Sequence, residues 1–343
     1  MAILVVGGGK MGLSHVTIAR QIAAPDSVAV CDASRMTCFL YRRMGIKAYG
    51  SVTQALEARG DSIRGVIVAT PTPSHFTIAK MALERSIPCF IEKPLTLSVT
   101  RSRELMQLAE QRGVYAQVGF VLRYVATFSR LRELVHSGEL GSVIRYQAEM
   151  NGNVITKPDN NWRSDFAAGG GCLNEYGPHL IDLCRFLFGD VTAIERAEKG
   201  HIHSTRADDR IAFDWVHDCG VPGEVKLDWC DTSKRKSVLR FSIDFEYAQV
   251  SCDNSALHFS FKEKSRLTGE DRGRIAALIV PPRVSFYLRG EEYTLQLEDF
   301  LSVCLKRPLR VEGGGGQVDP ARLADGLAVD QLIETISEMA GLR

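Results

Sequence analysis

Paired cysteines are missing from this chain. Nine cysteines are scattered from Cys31 to Cys304, an odd number, and no two form a Cys-x-x-Cys pair. That spacing points to neither a disulfide framework nor a zinc site, and it fits reduced thiols in a cytoplasmic protein. Long apolar runs are missing too: none approaches the length that crosses a bilayer. The first residues pass from a short apolar stretch straight into glycines, whereas a signal peptide carries a basic start and a longer apolar core. A strong charge of either sign is also absent. Lys and Arg number 42 against 41 Asp and Glu, leaving a formal net charge of +1. This gives no electrostatic reason to expect nucleic acid or an anionic membrane as a partner. There is no internal repeat, and no low-complexity stretch beyond the glycines at 313–316. What is present is 343 residues of ordinary globular composition, 45% apolar and 24% charged. That is enough chain for two domains and suits a small, locally bound ligand.

The first 120 residues alternate strand-like runs (3–6, 28–31, 65–69, 88–91 and 115–118) with helical patterns (11–22, 34–44, 51–58, 74–84 and 100–111). Strands separated by helices, with no hairpin turns, predict a parallel sheet covered on both faces. The pattern changes near residue 120. A helix at 127–136 and a strand at 143–150 precede a polar loop at 151–166. After Gly169-Gly170-Gly171 comes a helix at about 178–187. The chain then becomes strand-rich: 194–198, 210–216, 223–228, 237–245, 249–253, 256–261 and 293–297, several alternating as a half-exposed antiparallel sheet does. A charged loop at 262–274 and a closing helix at 319–342 complete the reading. The fold class is α/β, with a doubly wound parallel domain at 1–121 and a second α/β domain at 122–343.

Gly7-Gly8-Gly9-Lys10-Met11-Gly12 matches G-x-G-x-x-G between an apolar strand and a helix, the context that motif requires. Gly7 permits the tight turn, Gly9 lets a pyrophosphate reach the backbone, and Gly12 lets helix and strand close up. Lys10 and Met11 lie inside the fingerprint at the helix N-terminus. Asp32, twenty residues beyond Gly12, ends the second strand where a carboxylate would bond the ribose hydroxyls; Ala33 stands beside it. The acid favours NAD, while Arg35 leaves NADP open.

From there the chain resembles the glucose–fructose oxidoreductase / inositol dehydrogenase / rhizopine-catabolism family (Gfo/Idh/MocA). The resemblance covers nearly the whole chain. It rests on the glycine fingerprint, on Ala69-Thr70-Pro71 with His75, on Glu92-Lys93-Pro94, on Gly119-Phe120 with Arg123, and on the triple glycine leading to Gly177-Pro178-His179-Leu180-Ile181-Asp182. The resemblance implies a Rossmann domain followed by an α/β domain with a large open, mainly antiparallel sheet, and a homodimer or homotetramer formed through that sheet. It also implies that Thr70, Pro71, His75, Glu92 and Lys93 approach the cofactor, often with a cis Lys-Pro bond.

Oxidising a secondary alcohol requires its carbon against the nicotinamide, an acceptor for the hydroxyl proton, and stabilisation of the developing charge. Lys93, at a strand end on the ligand-binding edge, can hydrogen-bond the hydroxyl oxygen. His179 is the candidate proton acceptor, since imidazole titrates near neutral pH. Glu175, four residues earlier, either orients the imidazole, touches the substrate, or with Asn174 caps the helix. The family usually has aspartate at that position, so Glu175 is a departure. Asp182 supports the helix or His179. By resemblance Arg123 and Tyr124 face the substrate cleft and Trp162-Arg163 covers the nicotinamide end. An arginine there either binds a phosphate or carboxylate or forms a domain-interface salt bridge. His201, His203, His217 and Cys219 match no zinc spacing, so no metal is expected. The reading is an NAD-dependent dehydrogenase of a sugar or cyclitol. The alternatives are a redox-assisted sugar lyase or hydrolase and a non-catalytic dinucleotide-binding regulator.

Overall fold

The computed structural model describes residues 2–157, 162–309 and 318–342. The glycines 313–316 and part of the loop expected at 151–166 therefore lie outside the described residues. The first segment runs β1 (Ala2–Val6), α1 (Lys10–Ile22), β2 (Val28–Cys31), α2 (Arg35–Arg43), β3 (Lys47–Tyr49), α3 (Val52–Arg59), β4 (Ile63–Val68), α4 (His75–Glu84), β5 (Cys89–Ile91), α5 (Val99–Arg112) and β6 (Ala116–Val118). The six strands pair in parallel in the order β3-β2-β1-β4-β5-β6, that of a doubly wound dinucleotide-binding sheet. Every residue of β1, β2 and β5 is buried, as strands covered on both faces must be. Because neighbouring strands are parallel, the loops after β1, β4, β5 and β6 leave the same edge of the sheet. That edge carries Gly7–Gly12, Thr70, Lys93 and Gly119.

The second segment runs α6 (Ala126–Ser137), β7 (Val143–Asn151), α7 (Cys172–Glu175), α8 (Gly177–Phe188), β8 (Val191–Gly200), β9 (Arg210–His217), β10 (Pro222–Asp228), β11 (Val238–Phe245), β12 (Ala248–Cys252), β13 (Leu257–Phe261) and α9 (Gly269–Ile275). Its strands form a seven-stranded sheet, β13-β12-β11-β7-β10-β9-β8, in which β7 and β10 are parallel and all other neighbours antiparallel. On β9, buried Ile211, Phe213, Trp215 and His217 alternate with more exposed residues, so one face of the sheet builds the core. Tyr146 of β7 stacks on Phe188 of α8 with ring centroids 4.1 Å apart. The opposite face carries cross-strand charge pairs, Arg196–Asp214 at 3.0 Å and Arg210–Asp228 at 2.7 Å. Helix α9 lies in the stretch 262–274, which composition alone reads as a charged loop. Its start is fixed locally by a capping box between Thr268 and Asp271.

The last elements are α10 (Glu291–Leu305) and α11 (Leu323–Met339). The run 293–297, expected as a strand, is the first part of α10. Its Leu297, Phe300, Leu301 and Cys304 recur at helical spacing and join Ile3, Val5, Ile67 and Phe90 in one core. Gly65 of β4 makes the room: a Cβ there would stand 2.5 Å from Cys304 Sγ and 3.3 Å from Phe300. The chain accordingly divides into Met1–Tyr124 with Pro282–Asp330, and Val125–Pro281 with Gln331–Arg343. This differs from a single division at 121/122, because the apolar stripe of α10 completes the first core. No helix among the described residues is long and apolar enough to cross a membrane.

Candidate functional site

In the first unit the fingerprint loop is drawn tight. Gly7 has φ +97°, its N–H donates to the Cys31 carbonyl at 2.8 Å, and a Cβ on it would fall 2.6 Å from the Ala69 carbonyl oxygen. A Cβ on Gly12 would fall 1.7 Å from the Gly7 carbonyl oxygen, so only glycine lets α1 start here. Gly9 is different: an added Cβ would meet nothing within 4 Å. Gly9 is also the N-cap of α1, which has no side-chain cap and no acidic residue in its first turn. The leading N–H groups and the positive end of the helix dipole are thus left for an anion, with free space beside Gly9 to hold it. Lys10 is exposed at the first position of α1, and Met11 is half-buried.

Asp32 is half-buried, and its two carboxylate oxygens accept from the N–H groups of Gly8 at 2.7 Å and Ser34 at 2.8 Å. Each oxygen keeps further acceptor capacity for a ribose hydroxyl. Ala33 and Arg35 are exposed beside it. These residues fit a dinucleotide: a pyrophosphate cradle at Gly9 and α1, and an oriented carboxylate at the end of the neighbouring strand.

His75 is 1% exposed, with its ring nitrogens 2.8 Å from the Thr70 carbonyl and 3.0 Å from the Pro94 carbonyl. It ties the loop after β4 to the loop after β5, and burial lowers its pKa despite those carbonyls. Pro71 is exposed on the first of these loops. The Lys93–Pro94 peptide is cis, and Lys93 is half-buried. Glu92 accepts a 2.7 Å hydrogen bond from Nε2 of His15, a buried residue on α1 that the motif reading passed over. Its signal lay in the helical period: His15 falls on the same buried face as Gly12 and Ala19.

Arg123 and Tyr124, expected to face the substrate cleft, with a salt bridge as the alternative for the arginine, are buried and make contacts within the first unit. The Arg123 guanidinium lies 3.0 Å from Asp325 and donates to the Asp319 carbonyl at 3.4 Å. The Tyr124 hydroxyl donates to Asp299 of α10 at 2.8 Å and accepts from Gln117 at 3.3 Å. Both fasten the returning C-terminal segment within the first unit, because the core there is completed by residues far away in sequence.

In the second unit, Arg163 lies over the Trp162 ring at 4.7 Å and its Nε is 3.8 Å from Glu175. The triple glycine lets this segment fold onto the start of α7: a Cβ on Gly170 would meet the Arg163 carbonyl oxygen at 2.2 Å. Asn174 is buried and donates to the Gly170 and Phe166 carbonyls at 2.8 and 3.3 Å, holding the glycine turn. Its amide thus braces the turn that leads into α7. Glu175 ends α7 and is half-buried; His179 is half-buried near the start of α8, with Asp182 fully buried one turn on. The first turn of α7 is held by Asp208, which accepts from the Leu173 N–H at 2.8 Å. Burial pushes the Asp208 carboxyl up to about 8 in spite of that bond. His217 is bound by the Tyr146 hydroxyl and the Gly189 carbonyl at 2.7 and 2.8 Å, a structural role.

Two sequence profiles match the chain. One, described as an oxidoreductase family with an NAD-binding Rossmann fold, matches residues 1–120, and the other, the GFO/IDH/MocA C-terminal domain, matches residues 128–251. The chain belongs to the GFO/IDH/MocA oxidoreductase family. Among its curated relatives, the rhizopine catabolism protein MocA of Rhizobium meliloti is 31% identical over 54% of this chain and 56% of the relative. Glucose-6-phosphate 3-dehydrogenase of Bacillus subtilis is 26% identical over 61% of each. The chain thus spans little more than half the length of these relatives. A solved structure of similar fold, levoglucosan dehydrogenase in complex with NADH and levoglucosan, aligns over 99% of this chain and 97% of its own, with a TM-score of 0.80 at 18% identity.

Proposed function

We propose that the protein is an NAD-dependent oxidoreductase that moves hydride between nicotinamide and a secondary hydroxyl or keto group of a sugar, sugar derivative or cyclitol. The observation that carries this is the uncapped start of α1 beside open space at Gly9, with Asp32 and Lys93 on other loops of the same sheet edge. Gly7, Gly9 and Gly12 with the N–H groups of Lys10 and Met11 hold the pyrophosphate. Asp32 with Ala33 takes the ribose, its charge favouring NAD over a phosphorylated ribose, while Arg35 keeps NADP in the test. Thr70, Pro71 and Glu92 line the approach, with His75 fixing their loops from below.

Bound NAD supplies the hydride acceptor, and NADH returns the hydride in the reverse direction. The Lys93 ammonium hydrogen-bonds the substrate oxygen and stabilises the charge that develops on it. His179 takes the hydroxyl proton, with Glu175 steering the ring or a substrate hydroxyl. Trp162 and Arg163 form an exposed aromatic–cation surface suited to a sugar derivative. Nine free cysteines, eight of them buried, support a cytoplasmic setting. We also assign self-association to the half-exposed face of the second sheet; sedimentation of a monomer alone at micromolar concentration would contradict that.

The test supplies NAD, and separately NADP, with inositols, aldoses, sugar phosphates and nucleotide sugars, and follows formation of reduced nicotinamide. One substrate class gives a rise with NAD, and Lys93→Ala lowers the rate by about 10²- to 10⁴-fold. A flat trace despite proven NAD binding moves the assignment to redox-assisted elimination, if a sugar product appears, or to a regulator, if none does.

A further inference from the structure

His15 lies on the helix that begins at the anion cradle, and Glu92 lies next to Lys93. These two side chains meet at 2.7 Å, one 1% and the other 14% exposed. A carboxylate only accepts hydrogen bonds, so Nε2 of His15 carries the proton in this contact. The ring is braced edge-on against Phe90 of β5 with centroids 5.4 Å apart, and Glu92 Oε2 is backed by Gly119, where a Cβ would lie 3.1 Å away. Both partners are thus fixed by packing as well as by the hydrogen bond.

Burial alone would raise the Glu92 pKa. The hydrogen bond from His15, and the nearby charges of His15, Lys93 and His75, outweigh it and hold the carboxyl below its usual range. Tyr293 of α10 also feels this charge. Glu92 is therefore a largely shielded negative charge adjacent in sequence and electrostatically coupled to the lysine assigned to the substrate oxygen.

We propose that His15 and Glu92 are positioning residues: their hydrogen bond maintains a carboxylate counter-charge beside Lys93 and so keeps that lysine in its proton-bearing, hydrogen-bond-donating form. The pair couples the anion-binding helix to the reacting edge. The proposal rests on the dehydrogenase reading for its purpose, but its physical core concerns Lys93 alone.

The test measures acylation of Lys93 by acetic anhydride against pH in the full-length protein, read by peptide mass spectrometry, since only the neutral amine reacts. Glu92→Gln, which keeps shape and loses charge, moves the midpoint of Lys93 reactivity down by about one pH unit. His15→Leu moves it the same way, and His15→Gln, which keeps an N–H donor, restores it toward the starting value. The pH profile of kcat/KM shifts in parallel. An unmoved or raised midpoint in Glu92→Gln overturns the proposal, and an unmoved midpoint in His15→Leu overturns the role assigned to His15. A lowered midpoint in a protein that reduces no NAD upholds the pairing and sinks the dehydrogenase reading instead.

Discussion

Gly9 and Gly12 stand three residues apart and are glycine for different reasons. Gly12 is required by the fold, because its Cβ would collide with the Gly7 carbonyl. Gly9 has room for a methyl group and an ordinary φ of −73°, so its smallness serves something the chain alone does not contain. Gly12→Ala is therefore expected to lower the melting temperature and abolish dinucleotide binding together. Gly9→Ala leaves the melting temperature within a degree or two and weakens NAD binding by roughly tenfold or more. Thermal unfolding with and without NAD checks this: equal destabilisation by both variants would refute the cradle. The fingerprint was legible in sequence because the tight turn, the helix–strand closure and the approach of a pyrophosphate each require a glycine at a fixed spacing. The partners of Arg123, Tyr124 and Asn174 (Asp325, Asp299 and the Gly170 carbonyl) depend on tertiary return and turn geometry that spacing does not encode. His15 was overlooked because its partner Glu92 is 77 residues away.

Among the elements, the parallel strands could be read directly, since burial on both faces makes them short continuous apolar runs. The three-residue β3 was too brief to stand out. Helix α10 was misassigned because the stretch 293–297 viewed alone reads as apolar alternation; the helical period appears only when it is followed to Cys304. The start of α7 makes a testable case of an element held by one buried acid. Asp208 carries a folded pKa of about 8 against an ordinary value of 3.8. At this group the folded state then binds more protons than the unfolded state between these values, so its contribution to stability falls as pH rises from about 4 to 8 and levels off above that. Asp208→Asn keeps an acceptor for the Leu173 N–H and removes the titration. Urea unfolding at pH 5, 7 and 8 should show a shallower decline in the variant and a relative gain at pH 8. A variant with the same pH slope as the parent would refute the assignment to Asp208.

For the whole molecule, the two-part α/β architecture followed from the change of periodicity near residue 120, and family membership from motifs in order along the chain. The return of 282–330 to the first unit did not follow, because its signal is three-dimensional complementarity between α10 and the gap at Gly65. The departure at Glu175 is physical as well as statistical: its carboxylate stands 3.8 Å from Arg163, on a segment that also presents Trp162. Hydride transfer itself can be tested by one measurement that does not depend on net turnover. The protein is mixed with NAD and a sugar or cyclitol from the responsive class that carries deuterium on its ring carbons, and the cofactor is recovered after a single turnover for mass spectrometry. Stoichiometric deuterium in the reduced nicotinamide, lost in Lys93→Ala, is the predicted result. NAD that binds but recovers no deuterium from any substrate class would rule out hydride transfer from these substrates.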